Sequence, residues 1–152
     1  MPEGGCQKPM STDFQIVILA CQQAIPEVEA LAGPLRAAGL KGRVVQEPCS
    51  SKVEPYQLLR ILAGDADLLW VVGCPEDRCL LLEGSSRMGK RVAYAQKLLA
   101  EIGLETERVG MTRLAAPDTQ NLAAMVGEIE SRAASLAPNP ARRGAPSGKE
   151  SL

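Results

Sequence analysis

Histidine is absent from this chain of 152 residues. That removes the commonest general base and the Cys/His pair on which thiol hydrolases depend. It also excludes a Rieske-type centre and any mixed Cys/His zinc site. Aromatic side chains are nearly as scarce: Phe14, Tyr56, Trp70 and Tyr94 are all of them, so the interior must be built from Leu, Val, Ile and Ala. Positive charge is not in excess, with 17 Lys and Arg against 18 Asp and Glu, and nothing in that balance suggests nucleic acid. Long hydrophobic runs are also missing. Residues 14–20 are too few to span a bilayer, and the polar, Pro- and Gly-containing residues 1–13 do not have the form of a targeting segment. The expectation is a cytoplasmic protein with no transmembrane segment. Thiols stay reduced in that compartment, so clustered cysteines there mean metal or redox chemistry more often than disulfides.

Five cysteines are present, and their placement is the chain's most informative feature. Cys21 closes the apolar run over residues 14–20, Cys49 follows the run over 43–48, and Cys74 closes the run over 67–73. Cys79 follows in the next loop, while Cys6 lies in the leader. The first run is nearly continuous in apolar residues, as expected for a strand buried on both faces. Helices are predicted over residues 26–38, 54–63 and 86–102, each followed by a Gly stop at Gly39, Gly64 or Gly103. Pro26 stands early in the first, and Leu58, Leu59 and Leu62 form the inner face of the second. Met88, Val92, Ala95, Leu98, Leu99 and Ile102 form the apolar stripe of the third. A fourth strand is expected over 108–114 and a last helix, capped by Asp118, to about residue 134. The Pro-, Gly-, Arg- and Ser-rich residues 138–152 read as a disordered tail, leaving 14–137 as one domain.

The order βαβαβαβα with short links implies an α/β domain: a parallel sheet of about four strands, flavodoxin-like or Rossmann-like, covered by helices through right-handed crossovers. The carboxyl ends of such strands share one edge, where these folds bind ligands. Cys21, Cys49, Cys74 and Cys79 are thereby expected to converge. One cysteine at a strand end is commonly no more than a small buried hydrophobe. Three consecutive strand ends plus a C-x4-C loop suggest a metal or redox site. Structural zinc favours Cys-x2-Cys knuckles, which are lacking, and C-x4-C is not the C-x-x-C of thioredoxin-like redox pairs. An iron–sulfur cluster suits this arrangement better than a zinc knuckle, with Gly73 allowing close backbone approach and Ser50 and Ser51 available as hydrogen-bond donors; the alternatives are a small thiol redox protein and a cluster-free interaction module.

Other motifs carry less. Residues 84–91 (GSSRMGKR) narrowly miss a phosphate-binding P-loop, with Arg91 where Ser or Thr is required, and fit a basic helix start or a docking patch for an acidic partner. The apolar run Leu80-Leu81-Leu82 is a candidate contact surface. No G-x-G-x-x-G follows the first strand.

Taken together, the Cys21 strand end, Pro48-Cys49-Ser-Ser-Lys-Val53, Val72-Gly73-Cys74-Pro-Glu-Asp-Arg-Cys79, the basic helix start over 84–92 and the stretch over 98–109 resemble the methyl-viologen-reducing hydrogenase delta-subunit family. The resemblance covers about residues 14–132. It implies a [2Fe–2S] electron-transfer subunit ligated by Cys21, Cys49, Cys74 and Cys79. It further implies that electrons pass between a partner oxidoreductase of hydrogenase or formate dehydrogenase type and a heterodisulfide-reductase-like flavin subunit, in an assembly associated with electron bifurcation.

Overall fold

The computed structural model describes residues 14–22, 24–47, 54–64, 66–74, 84–114 and 119–140. Four strands, β1 (Ile16–Cys21), β2 (Gly42–Glu47), β3 (Leu68–Gly73) and β4 (Val109–Arg113), alternate with helices α1 (Glu29–Ala37), α2 (Pro55–Gly64), α3 (Gly84–Glu101) and α4 (Thr119–Ala134). All strand pairs are parallel, in the order β2-β1-β3-β4. This is the α/β domain expected, with the strand order of flavodoxin-like folds. The two strands whose residues are wholly buried, β1 and β3, occupy the centre. Polar and charged residues such as Arg43, Gln46 and Glu47 fall on the edge strand β2, where a side chain can reach water.

Side-chain alternation along β1 distributes the interior into two layers. Ile16, Ile18 and Ala20 join Leu31 and Leu35 of α1 and Leu122, Met125, Val126 and Ile129 of α4. Val17 and Leu19 join Leu58 and Leu62 of α2 and Met88, Val92, Ala95 and Leu99 of α3 on the opposite face. Right-handed crossovers require this arrangement. The chain moves one way from β1 to β2 and the other way from β2 to β3 to β4, so α1 must cover one face and α2 and α3 the other.

Two helices end as their glycines predict. Gly39 and Gly103 adopt φ of 78° and 86°, the left-handed conformation a side chain disfavours. The amides of the following residues then reach back into the helix: Leu40 N–H donates to Leu35 O at 3.0 Å, and Leu104 N–H to Leu99 O at 2.9 Å. These are Schellman closures. The second displaces one expected core residue: Ile102 lies past the end of α3 in the turn and is 67% exposed, while Leu104 packs against the core in its place. The first helix also begins later than expected, at Glu29 rather than near Pro26. The turn before it is closed by Ala24 and Ile25, which both donate to Cys21 O. Pro34 is accommodated inside α1. Asp118, the expected cap of α4, lies outside the described residues.

The packed chain also runs past the expected boundary at residue 137. Asn139 is buried; its backbone N–H donates to Asp67 Oδ1 at 2.7 Å, and its side-chain amide donates to Leu62 O and Ala66 O at 2.8 and 3.1 Å. Asp67 Oδ2 accepts from Gln15 N–H at 2.6 Å. Buried Arg108 bridges the same region, donating to Asp67 O, Ala137 O and Glu105 Oε1. Glu105's backbone hydrogen bond, followed by Arg108, holds its carboxyl below the usual carboxylate range. A Pro-rich composition obscured one polar residue with enough buried partners to order its neighbours. Asn139→Ala strips two buried carbonyls of their donor and should cost about 2 kcal/mol, or roughly 5 °C in Tm. Thermal melting checks this, and an unchanged Tm would show that the side-chain amide of Asn139 adds nothing to the fold.

Candidate functional site

The chain reverses its direction of travel across the sheet between β1 and β3, and doubly wound folds open their ligand crevice at the carboxyl edge of that switch point. Cys21 and Cys74 stand there. Residues Ala20 and Val72 are paired in register, so Cys21, the last residue of β1, lies opposite Gly73, and Cys74 follows immediately. Both are buried, at 1% and 6% exposure, and both belong to the layer under α1 and α4. Each is a thiol rather than half of a disulfide.

Alternation explains the direction of Cys74: Leu68, Trp70 and Val72 precede it on the same face. The placement of Cys21 needs a further cause, since strict alternation assigns it to the other layer. The turn that follows supplies that cause. Cys21 O accepts from Ala24 N–H and Ile25 N–H at 3.0 and 2.9 Å. Gln46 of β2 then braces the loop, its side-chain amide donating to Ile25 O and Pro26 O at 2.7 and 2.9 Å. Sequence reasoning missed Gln46. Its only signal there is a polar residue in an apolar strand, which the edge position of β2 explains equally well.

The structure therefore brings together two of the four expected ligands. Cys49 and Cys79 lie outside the described residues, as do Ser50, Ser51 and residues 80–82. The strand that leads to Cys49 ends on the same edge, with its last residue Glu47 paired to Cys21 and its carbonyl accepting from Gln22 N–H at 2.8 Å. Among the described residues, no group of three or more Cys, Asp or Glu side chains forms a metal site. Two thiolates at adjacent strand ends are ligands of the kind iron–sulfur clusters use. A shallow groove of about 280 Å³ lies farther along the edge, between the end of β4 and α4, lined by Thr112, Arg113, Leu114, Asn121, Met125 and Glu128 among others. It contains no cysteine.

Three residues brace the sheet beside the site. Trp70 lies across Gly110, its register partner on β4. Its indole N–H donates to Thr112 Oγ1 at 2.9 Å, and the Arg132 guanidinium covers the ring at 4.9 Å. No described helix is long and apolar enough to cross a membrane.

The chain is similar to known proteins along most of its length. Residues 16–137 match the family model of the methyl-viologen-reducing hydrogenase delta subunit. The chain is 32% identical to the vhu iron–sulfur subunit of the F420-non-reducing hydrogenase of Methanopyrus kandleri, over 85% of this chain and 98% of that protein. It is also 32% identical to the corresponding iron–sulfur subunit of the F420-non-reducing hydrogenase of Archaeoglobus profundus, over 85% of this chain and 96% of that one. A third similarity is of another kind. Over 57% of its length the chain is 30% identical to a stretch making up 11% of one subunit of the ferredoxin/F420H2-dependent CoB-CoM heterodisulfide reductase of Methanosarcina acetivorans.

Proposed function

The chain belongs to the methyl-viologen-reducing hydrogenase delta-subunit family, and from that premise we propose that it is an iron–sulfur electron-relay subunit. It takes electrons from an oxidoreductase of hydrogenase or formate dehydrogenase type and passes them to a heterodisulfide-reductase-like flavin subunit, in a cytoplasmic, electron-bifurcating complex. The observation that carries this reading is the placement of Cys21 and Cys74 side by side at the topological switch point. The relatives support it by name, as iron–sulfur subunits of hydrogenases. The similarity to part of a heterodisulfide reductase subunit supports the second partner: in that protein a stretch of this kind forms one polypeptide with the rest of the subunit.

Cys21, Cys49, Cys74 and Cys79 would hold a [2Fe–2S] cluster, which when bound supplies one-electron outer-sphere transfer. The chain's own residues perform no bond-making chemistry. The buried β1 and β3 strand ends fix two sulfurs against the rigid sheet, and Gln46 holds the loop after Cys21. The apolar layer behind the thiols keeps water from that side, and both burial and hydrogen bonding tune the potential of such a site.

The relay is tested by mixing the reduced chain anaerobically with an oxidised heterodisulfide-reductase-like flavoprotein from the same organism. Flavin absorbance should fall in step with reoxidation of the chain. A chain that holds its cluster yet leaves the flavin oxidised would contradict the relay.

A further inference from the structure

Charge is unevenly divided between the two helical layers. Within the sequences of α2 and α3 there are five cations, Arg60, Arg87, Lys90, Arg91 and Lys97, and one carboxylate, Glu101. Along α1 and α4 the balance tips the other way, with Glu29, Glu128 and Glu130 against Arg36 and Arg132. The chain as a whole has a net charge of −1, so the basic layer is a local feature that composition conceals.

Three observations set this layer apart from an ordinary solvated face. First, its cations stand at the wrong end of α3 for helix stability. Arg87 is in the first turn and Lys90 and Arg91 are in the next, with no acidic residue in the first turn and no basic residue in the last. The positive end of a helix dipole favours carboxylates there, and like charges three and four residues apart repel. Second, Arg87, Lys90, Tyr94 and Lys97 recur at spacings of three and four, which align them along one face opposite the buried stripe of Met88, Val92, Ala95 and Leu99. Arg91 pairs with Glu54 just before α2, which joins the two helices into one surface. Third, the layer exposes two of the chain's four aromatic residues, Tyr56 on α2 at 62% and Tyr94 on α3 at 51%. An apolar ring with a polar tip suits an interface that is dry at its centre and wet at its rim.

We propose that the outer face of α2 and α3 is the docking surface for an acidic protein partner. The start of α3, which carries Arg87, Lys90 and Arg91, follows β3 and so lies toward the carboxyl edge of the sheet, on the face opposite the layer that holds Cys21 and Cys74. A partner seated on this face would thus reach the edge at which β1 and β3 end. Nucleic acid fits less well, because the chain as a whole has no basic excess and the face carries only two exposed rings. A second copy also fits less well, because the opposite layer offers only Glu29, Glu128 and Glu130, and Glu29 is already paired with Arg36. The assignment of the partner as a redox protein rests on the relay reading; the basic character of the face does not.

The test measures association of the full chain with the coexpressed heterodisulfide-reductase-like flavoprotein, and in parallel with poly-L-glutamate, a DNA duplex and phosphatidylglycerol vesicles. The variant Arg87→Glu/Lys90→Glu/Lys97→Glu should slow association with the flavoprotein on the order of tenfold or more at low salt and flatten the salt dependence. It should melt like the parent. Glu128→Lys/Glu130→Lys on the opposite layer should leave the rate unchanged. Parental association of the triple variant, no salt-dependent association with either acidic probe, or a preference for DNA or vesicles would each overturn the proposal. Binding does not depend on electron flow, so the two ideas can fail separately. A chain that docks through these residues but does not reduce the flavin sinks the relay alone. A chain that reduces the flavin regardless of the triple change sinks the docking face alone.

Discussion

Cys74→Ser should bleach the protein, with loss of nearly all visible absorbance and of bound iron and sulfide after anaerobic purification. Cys21→Ser should do the same. The expectation follows from position and number. The proposed ligand set takes four of the five cysteines, all but Cys6, so a four-ligand cluster needs each of them. The two thiols the structure places are each held by a rigid strand end, Cys74 by β3 and Cys21 by β1 and the turn on its carbonyl. A neighbouring group therefore cannot swing in as a substitute. Cys49→Ser and Cys79→Ser should match them in effect, whereas Cys6→Ser should keep full colour. Folding provides the internal control. A buried thiol replaced by a hydroxyl costs about 1–3 kcal/mol when its polar atom finds no partner, a modest loss beside the removal of a chromophore. Cysteines that serve only as small hydrophobes would show the modest loss and no change of colour.

The second large effect is on the fold. A Cβ added at Gly110 would stand 2.5, 2.7 and 2.9 Å from three carbons of the Trp70 ring. Such a contact is cheap only where the neighbour can retreat, and Trp70 cannot. It is wholly buried, its indole N–H is bonded to Thr112, and Arg132 closes the far side. Overpacking of this kind typically costs about 1–3 kcal/mol, and Gly110→Ala should reach the upper end, a fall in Tm on the order of 10 °C. Trp70→Leu leaves a void and also destabilises, by a few kcal/mol. The double variant should lose clearly less than the two single losses combined, because the smaller side chain vacates the space the new methyl needs. Strict additivity in a double-mutant cycle would show that the ring and the glycine do not share the constraint.

Much of the architecture was legible because the two central strands must be buried on both faces, and burial imposes apolar runs that few other elements produce. The helix ends were legible for a local reason: a left-handed closing residue selects glycine, and Gly39 and Gly103 both take that role. What escaped depends on partners distant in sequence. The ordering of Asn139 comes from Asp67, Leu62 and Ala66, more than seventy residues earlier. Ile102 matched the stripe of α3 by spacing, but periodicity holds only while the helix lasts, and the closure at Gly103 ended it one residue too soon. Gln46 on β2 and Arg108 just before β4 were likewise invisible as braces, since a polar residue in or beside a strand is ordinary until its acceptors are known. The candidate site was legible in outline for a topological reason. Parallel strands joined by crossovers bring their carboxyl ends to one edge, so cysteines at successive strand ends are neighbours before any coordinate is known. Cys21 and Cys74 stand at the adjacent ends of β1 and β3, and Cys49 and Cys79 lie outside the described residues.

The measurement closest to the central claim is the iron and sulfide content of the anaerobically purified chain, read with its visible spectrum and the paramagnetic resonance of its reduced state. A brown protein with roughly two irons and two sulfides per chain, and an S = 1/2 signal on reduction, is the predicted result. A colourless protein with all five cysteines as free thiols that stays colourless after anaerobic reconstitution would contradict it and leave a cluster-free docking module.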